Sequence, residues 1–150
     1  MKKNLIIQIA STFFVLLFLY TGLMKIVERD TFIQALFHSP ILQRYAYTVA
    51  FGVPAVELLT VICLLVPRLQ RIGLYASFVL MFSFTLYVAY MLFFRRSELP
   101  CSCGGIIRLM NWHQHLYFNT AATILAFWAI WLDRKRRMVQ AATFHNTPYA

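Results

Sequence analysis

Charge is what this chain of 150 residues has least of, with 13% Asp, Glu, Lys and Arg against 61% hydrophobic residues. A soluble domain averages about 25% charged residues, and one this apolar would expose too much greasy surface to stay dispersed. Acid is the scarcer sign, 5 Asp and Glu against 14 Lys and Arg, for a net charge of +9. That balance invites nucleic acid as a partner. The basic residues, however, flank apolar runs and form no stripe with interleaved aromatics, which excludes that class. The chain has no internal repeat and no low-complexity tract. Cysteine is scarce too, 3 in all, yet two of them sit one residue apart at Cys101 and Cys103.

What the sequence does have is long apolar runs, and these set the class: one integral membrane domain in a lipid bilayer. The first run extends from about Leu5 to Ile26, behind Met1-Lys2-Lys3. A signal peptide opens similarly, but its apolar core is about 7–15 residues with a small-residue cleavage site after it. Here the run is longer and ends in Gly22-Leu23-Met24-Lys25, so it reads as a retained first helix. Glu28 to Arg44 is mixed, with Phe32, Ile33, Leu36 and Phe37 at helical spacing. It is expected to form a short amphipathic helix in the interface, ended or bent by Pro40. Further spans are expected over about 47–66, 72–94 and 115–132, the second and third joined by the short turn Pro67-Arg68-Leu69-Gln70-Arg71. Asp133-Arg134-Lys135-Arg136-Arg137 stops the last span, and residues 138–150 are expected to be a poorly ordered polar tail. The expected fold is an all-α, antiparallel four-transmembrane-helix bundle over residues 1–137.

Four spans put both termini on one side. That side carries eight Lys and Arg (Lys2, Lys3, Arg68, Arg71 and 134–137), and the other side carries six. The positive-inside rule then places both termini in the cytoplasm and the cysteine loop outside, in the periplasm of a bacterium. That compartment lets disulfides form and persist.

Cys101 and Cys103 are too close to staple a fold, because a disulfide's stabilisation grows with the loop it closes and this one would close almost nothing. A bridge within so small a ring is strained, and strained, exposed bridges are the reducible kind. Gly104 and Gly105 permit close approach, and Arg95, Arg96 and Arg108 favour the attacking thiolate. Two alternatives stay open: idle thiols in a surface loop, and a metal site. Cys101, Cys103, His113 and His115 could supply a Cys2His2 set, although C-x-C-x9-H-x-H matches neither the usual cysteine knuckle nor the usual histidine pair. Cys63 lies at the other end of its span and reads as a packing residue.

Glu57 falls about 10 residues into the second span, roughly 15 Å deep at 1.5 Å per residue. A carboxyl at that depth is costly and marks a functional site by default, one that could handle protons; a structural hydrogen bond is the competing role. Lys25 either snorkels to the surface or pairs with Glu57. His115, Asn119 and Thr123 form a polar stripe at intervals of four, with His115 facing the bundle and His113 facing elsewhere. The stripe either carries protons and binds a carbonyl-bearing head group or glues helices together. The aromatics of the third span (Phe78, Phe82, Phe84, Tyr87, Tyr90, Phe93 and Phe94) read as lipid-facing surface.

Three motifs carry a family resemblance over roughly Leu5 to Leu132: Gly22-Leu23-Met24-Lys25, Pro54-Ala55-Val56-Glu57-Leu58, and Pro100-Cys101-Ser102-Cys103-Gly104-Gly105 followed by Asn111-Trp112, His115-Leu116 and Phe118-Asn119. Together they resemble the DoxX/MauE superfamily of small four-helix membrane proteins, and the last is similar to its redox-associated branch common in Bacteroidetes. The resemblance implies periplasmic thiol–disulfide chemistry beside a thioredoxin-like or client protein. It does not carry methylamine metabolism over to this chain. The architecture is also similar to quinone-coupled disulfide-forming membrane enzymes, though those have C-x-x-C and a second outer cysteine pair. On this reading Cys101 and Cys103 exchange electrons, Trp112, His115 and Asn119 hold a quinone, and Glu57 and His115 handle protons. The competing classes are a non-enzymatic scaffold subunit of a larger membrane complex and a Cys/His metal carrier.

Overall fold

The computed structural model describes residues 2–94 and 111–145, with side chains described over 5–94 and 111–139. Its elements follow in the order α1 (Lys2–Val27), α2 (Arg29–Phe37), α3 (Ala46–Leu65), α4 (Gln70–Phe94) and α5 (Trp112–His145). A one-turn 3-10 segment at Gln43–Tyr45 leads into α3, and no strand occurs among the described residues. Four stretches are long and apolar enough to cross a membrane: Leu5–Val27, Gln43–Leu65, Gln70–Phe94 and Trp112–Val139. The chain is an all-α, multi-pass membrane bundle. Its outward face is accordingly greasy, with Leu16, Val79 and Phe127 each exposed by about 60%, a surface that is stable only against lipid.

Helix α1 packs along α3, and α4 packs along α5. Helices α3 and α4 form a tight hairpin, made possible by Gly73. A Cβ there would lie 2.8 Å from both the backbone nitrogen and Cγ of Leu64, so any side chain would push the two helices apart. One half of the bundle, built from the start of α1, the end of α3, the start of α4 and the end of α5, is closed by a continuous apolar core. Phe14 and Phe18 are fully buried there against Val61, Leu64, Ala126 and Ala129. The small alanines of α5 let it approach closely, which is how helices hold together where lipid is as apolar as the core. Polar ties close this end: the Gln70 amide donates to Ser11 at 3.1 Å, and Arg134 donates to the Tyr75 hydroxyl at 2.8 Å.

The interfacial helix forms as Arg29–Phe37, one residue past α1, and stops before Pro40. Its buried Leu36 packs with Ala46 and Ala50 of α3, with Phe32, Ile33, Leu42 and Val49 around them. Two boundaries differ from those the sequence led us to expect. Helix α5 begins at Trp112, three residues before His115, because Asn111 and Gln114 form a capping pair. The Gln114 side chain accepts the Asn111 backbone N–H at 3.0 Å, while His115 N–H bonds the Asn111 carbonyl at 2.9 Å. At its other end α5 runs through the basic cluster to His145, so residues 138–145 are helix where a poorly ordered tail was expected. Charges end a membrane span without ending a helix. Arg and Lys are good helix formers, and Arg137 pairs with Asp133 one turn back at 3.0 Å.

Candidate functional site

The other half of the bundle is not filled. The second half of α1, the first half of α3, the second half of α4 and the start of α5 enclose a cavity of about 360 Å³, with α2 and Leu42 over its end. Its walls are mostly apolar (Leu17, Val49, Val53, Met81, Val88 and Phe118), and polar groups converge on it from four helices: Thr21 and Lys25 of α1, Glu57 of α3, Ser83 and Tyr87 of α4, and His115 and Asn119 of α5. A largely apolar hollow of several hundred Å³ with a few convergent polar groups is the usual form of a small-molecule site.

Glu57 is fully buried, and Lys25 donates to its Oε1 at 2.6 Å. The snorkelling reading of Lys25 is therefore corrected: its side chain turns into the bundle. Isolated, the carboxylate would be prohibitively costly in the membrane, and the cation offsets that cost directly. Lys25 is further hemmed by aromatic faces, its Nζ lying 5.5 Å from the Phe84 ring centre and 6.0 Å from that of Phe32. Gly22 lets α1 reach this point. A Cβ there would meet Glu57 Oε2 at 3.4 Å, and that oxygen has no hydrogen-bond partner. The two short motifs around Lys25 and Glu57 thus meet as one structural unit.

His115 faces the cavity as expected, and its buried Nδ1 has no partner. Lys25 lines the same cavity. Asn119 is buried one turn below and lines the same hollow. Thr123 continues the stripe, but its hydroxyl bonds the Asn119 carbonyl at 2.7 Å and Thr85 of α4 at 3.0 Å, so at that level the stripe joins helices. His113 is exposed, and Trp112 is half-buried at the first turn of α5, outside the residues that line the cavity. Phe84 and Tyr87 line the cavity, whereas Phe82, Phe93 and Phe94 are exposed as lipid-facing surface. No cluster of His, Cys, Asp and Glu suited to a metal occurs among the described residues.

Cys101 and Cys103, with Arg95, Arg96 and Arg108, lie outside the described residues. The segment that carries them leaves α4 at Phe94 and re-enters α5 at Trp112, at the end of the bundle where the cavity lies. Cys63 is near the last turn of α3, at the opposite end. Sequence reasoning missed the part played by Tyr87, whose hydroxyl donates to the buried Ser39 at 3.1 Å beside the cavity. A tyrosine in an aromatic-rich span gives no signal of its own; Ser39, one residue before the helix-stopping Pro40, was the available hint.

No curated protein and no solved structure matches the chain. The family model described as methylamine utilisation protein MauE matches residues 3–132, a range that takes in both ion-pair motifs, the cysteine segment and the whole cavity. The chain belongs to the MauE family of membrane proteins.

Proposed function

We propose that this protein is a thiol–disulfide redox factor of the bacterial inner membrane, of the DoxX/MauE redox-associated type, with both termini cytoplasmic and the Cys101/Cys103 segment in the periplasm. The observation that carries the reading is the polar cavity at the end of the bundle where that segment leaves and re-enters. The Lys25–Glu57 pair, at 2.6 Å, joins helices, but the unpartnered His115 nitrogen that lines the same cavity adds nothing to the bundle's stability and supports a ligand-binding role.

In this reading the resting protein holds a Cys101–Cys103 disulfide. A thiolate of a thioredoxin-like or client protein attacks one sulfur, forming a mixed disulfide and releasing the other sulfur as a thiolate. The partner's second thiolate then attacks the mixed disulfide. The partner leaves oxidised, and Cys101 and Cys103 keep two electrons and gain two protons. Lys25, His115 and Asn119 suit the oxygens of a quinone head group, the orphan His115 Nδ1 being the group that most needs such a partner. A bound quinone would supply an acceptor for those two electrons and two protons. Glu57, held by Lys25, is the carboxyl placed to pass protons at that depth.

The test is capture of the mixed disulfide. A thioredoxin-like partner whose second cysteine is replaced by serine has no thiolate left to complete the exchange, so with the wild-type chain it should accumulate a reductant-sensitive adduct, and with the Cys101→Ser/Cys103→Ser double variant none. Full activity of the double variant in its host would instead make the protein a non-enzymatic accessory subunit.

A further inference from the structure

Tyr87 lines two spaces. On its inner side is the cavity of Lys25, Glu57 and His115; on its outer side lies an apolar groove of about 530 Å³ along α4, walled by Ile41, Leu86, Ala89, Tyr90 and Phe94. The groove is on the membrane-facing surface, where Phe94 is 74% exposed. Between the two spaces stands the Tyr87–Ser39 hydrogen bond of 3.1 Å, which ties α4 to the turn after α2. Among the described residues, apolar side chains, Phe32, Leu36 and Leu42, cover the cavity at the end of the bundle. Beside Tyr87 the cavity wall on α4 is Ser83, Phe84 and Val88, and beyond Tyr87 the groove is lined by apolar and aromatic side chains.

From the wall that Tyr87 shares between cavity and lipid-facing groove we infer that the cavity is entered sideways from the bilayer, past Tyr87, and that its ligand is a tailed amphiphile. The oxygen-bearing head sits among Lys25, His115 and Asn119, and the hydrocarbon tail leaves along the groove on α4. Tyr87 is a positioning residue at the portal, and its bond to Ser39 sets the portal's width. The inference rests on the quinone-site reading for the identity of the head group. The tail path rests on the shared Tyr87 wall.

The experiment is equilibrium binding to the full-length protein in lipid nanodiscs, using a benzoquinone ring with a decyl tail and the same ring without one. Ala89→Trp fills the groove from outside the cavity; Leu86→Trp, on a side chain already exposed to lipid, does so with least risk to folding. Partition of each probe into lipid is the same for wild type and variant, so it cancels. We expect either variant to weaken the tailed ring by about tenfold, equivalent to about 1.4 kcal/mol, and to leave the tail-less ring unchanged. Equal effects on both rings, or on neither, would overturn the tail path while leaving the head-group site standing. Binding of neither ring to wild type would overturn the inference together with the quinone assignment, and mixed-disulfide capture would still decide the cysteine exchange on its own.

Discussion

The two halves of this bundle solve the same problem in opposite ways. In the half around Phe14, Phe18 and Ala126, the helices meet through small residues and fully buried aromatics. In the half around Lys25, Glu57 and His115, the same four long helices diverge enough to leave about 360 Å³. They are joined there by an ion pair and hydrogen bonds instead of packing. Apolar contact gains little in a membrane, where lipid offers the same contact. The packed half therefore depends on shape and the open half on polar pairing. Ion pairs and unpartnered polar atoms are costly at this depth, and the proposed function gives the cost of the open half a use.

The largest effect expected from breaking this contrast is at the ion pair. Lys25→Met leaves Glu57 buried without its cation and should cost about 3 kcal/mol, read as a lower midpoint in detergent unfolding. Lys25→Met with Glu57→Leu removes both charges and should recover most of that loss. A double variant as unstable as the single would mean that packing, not pairing, holds the open half. Next is Gly73→Ala in the packed half. Its Cβ would fall 2.8 Å from the Leu64 backbone, and overpacking of this kind costs about 1–3 kcal/mol. The same unfolding assay should show that loss with ligand affinity unchanged. The smallest is Thr85→Val, which removes the 3.0 Å bond to Thr123; interhelical hydrogen bonds in membranes average about 0.6 kcal/mol. A much larger loss would place Thr123 with the cavity's working residues instead of the helix joints.

Much of the fold was legible because a membrane imposes simple rules. Each span needs about 20 apolar residues, and the basic clusters punctuate them. The candidate site was legible in its parts, Glu57 from the anomaly of a carboxyl in an apolar run, and His115 and Asn119 from their spacing of four. Their convergence was not legible. Lys25 and Glu57 are 32 residues apart in sequence, and whether they meet depends on the stagger of α1 on α3, which Gly22 sets by close approach and no periodicity records. The ends of α5 were misjudged for different reasons. At its start the Asn111–Gln114 capping pair was readable but was overshadowed by the hydropathy step. At its end the run of charges marks where the membrane span stops, and nothing in that run says how far the helix continues past it, which is to His145.

The most direct measurement of the central claim, that the open half serves an outward-facing redox pair, is thiol trapping in intact membranes with an impermeant maleimide. Cys63, at the packed end, should stay unlabelled in sealed membranes. We predict that Cys101 and Cys103 label only after mild reduction, as a disulfide facing the periplasm must. Free labelling without reductant, or no labelling after it, would contradict the claim: the first removes the resting disulfide, the second the outward face.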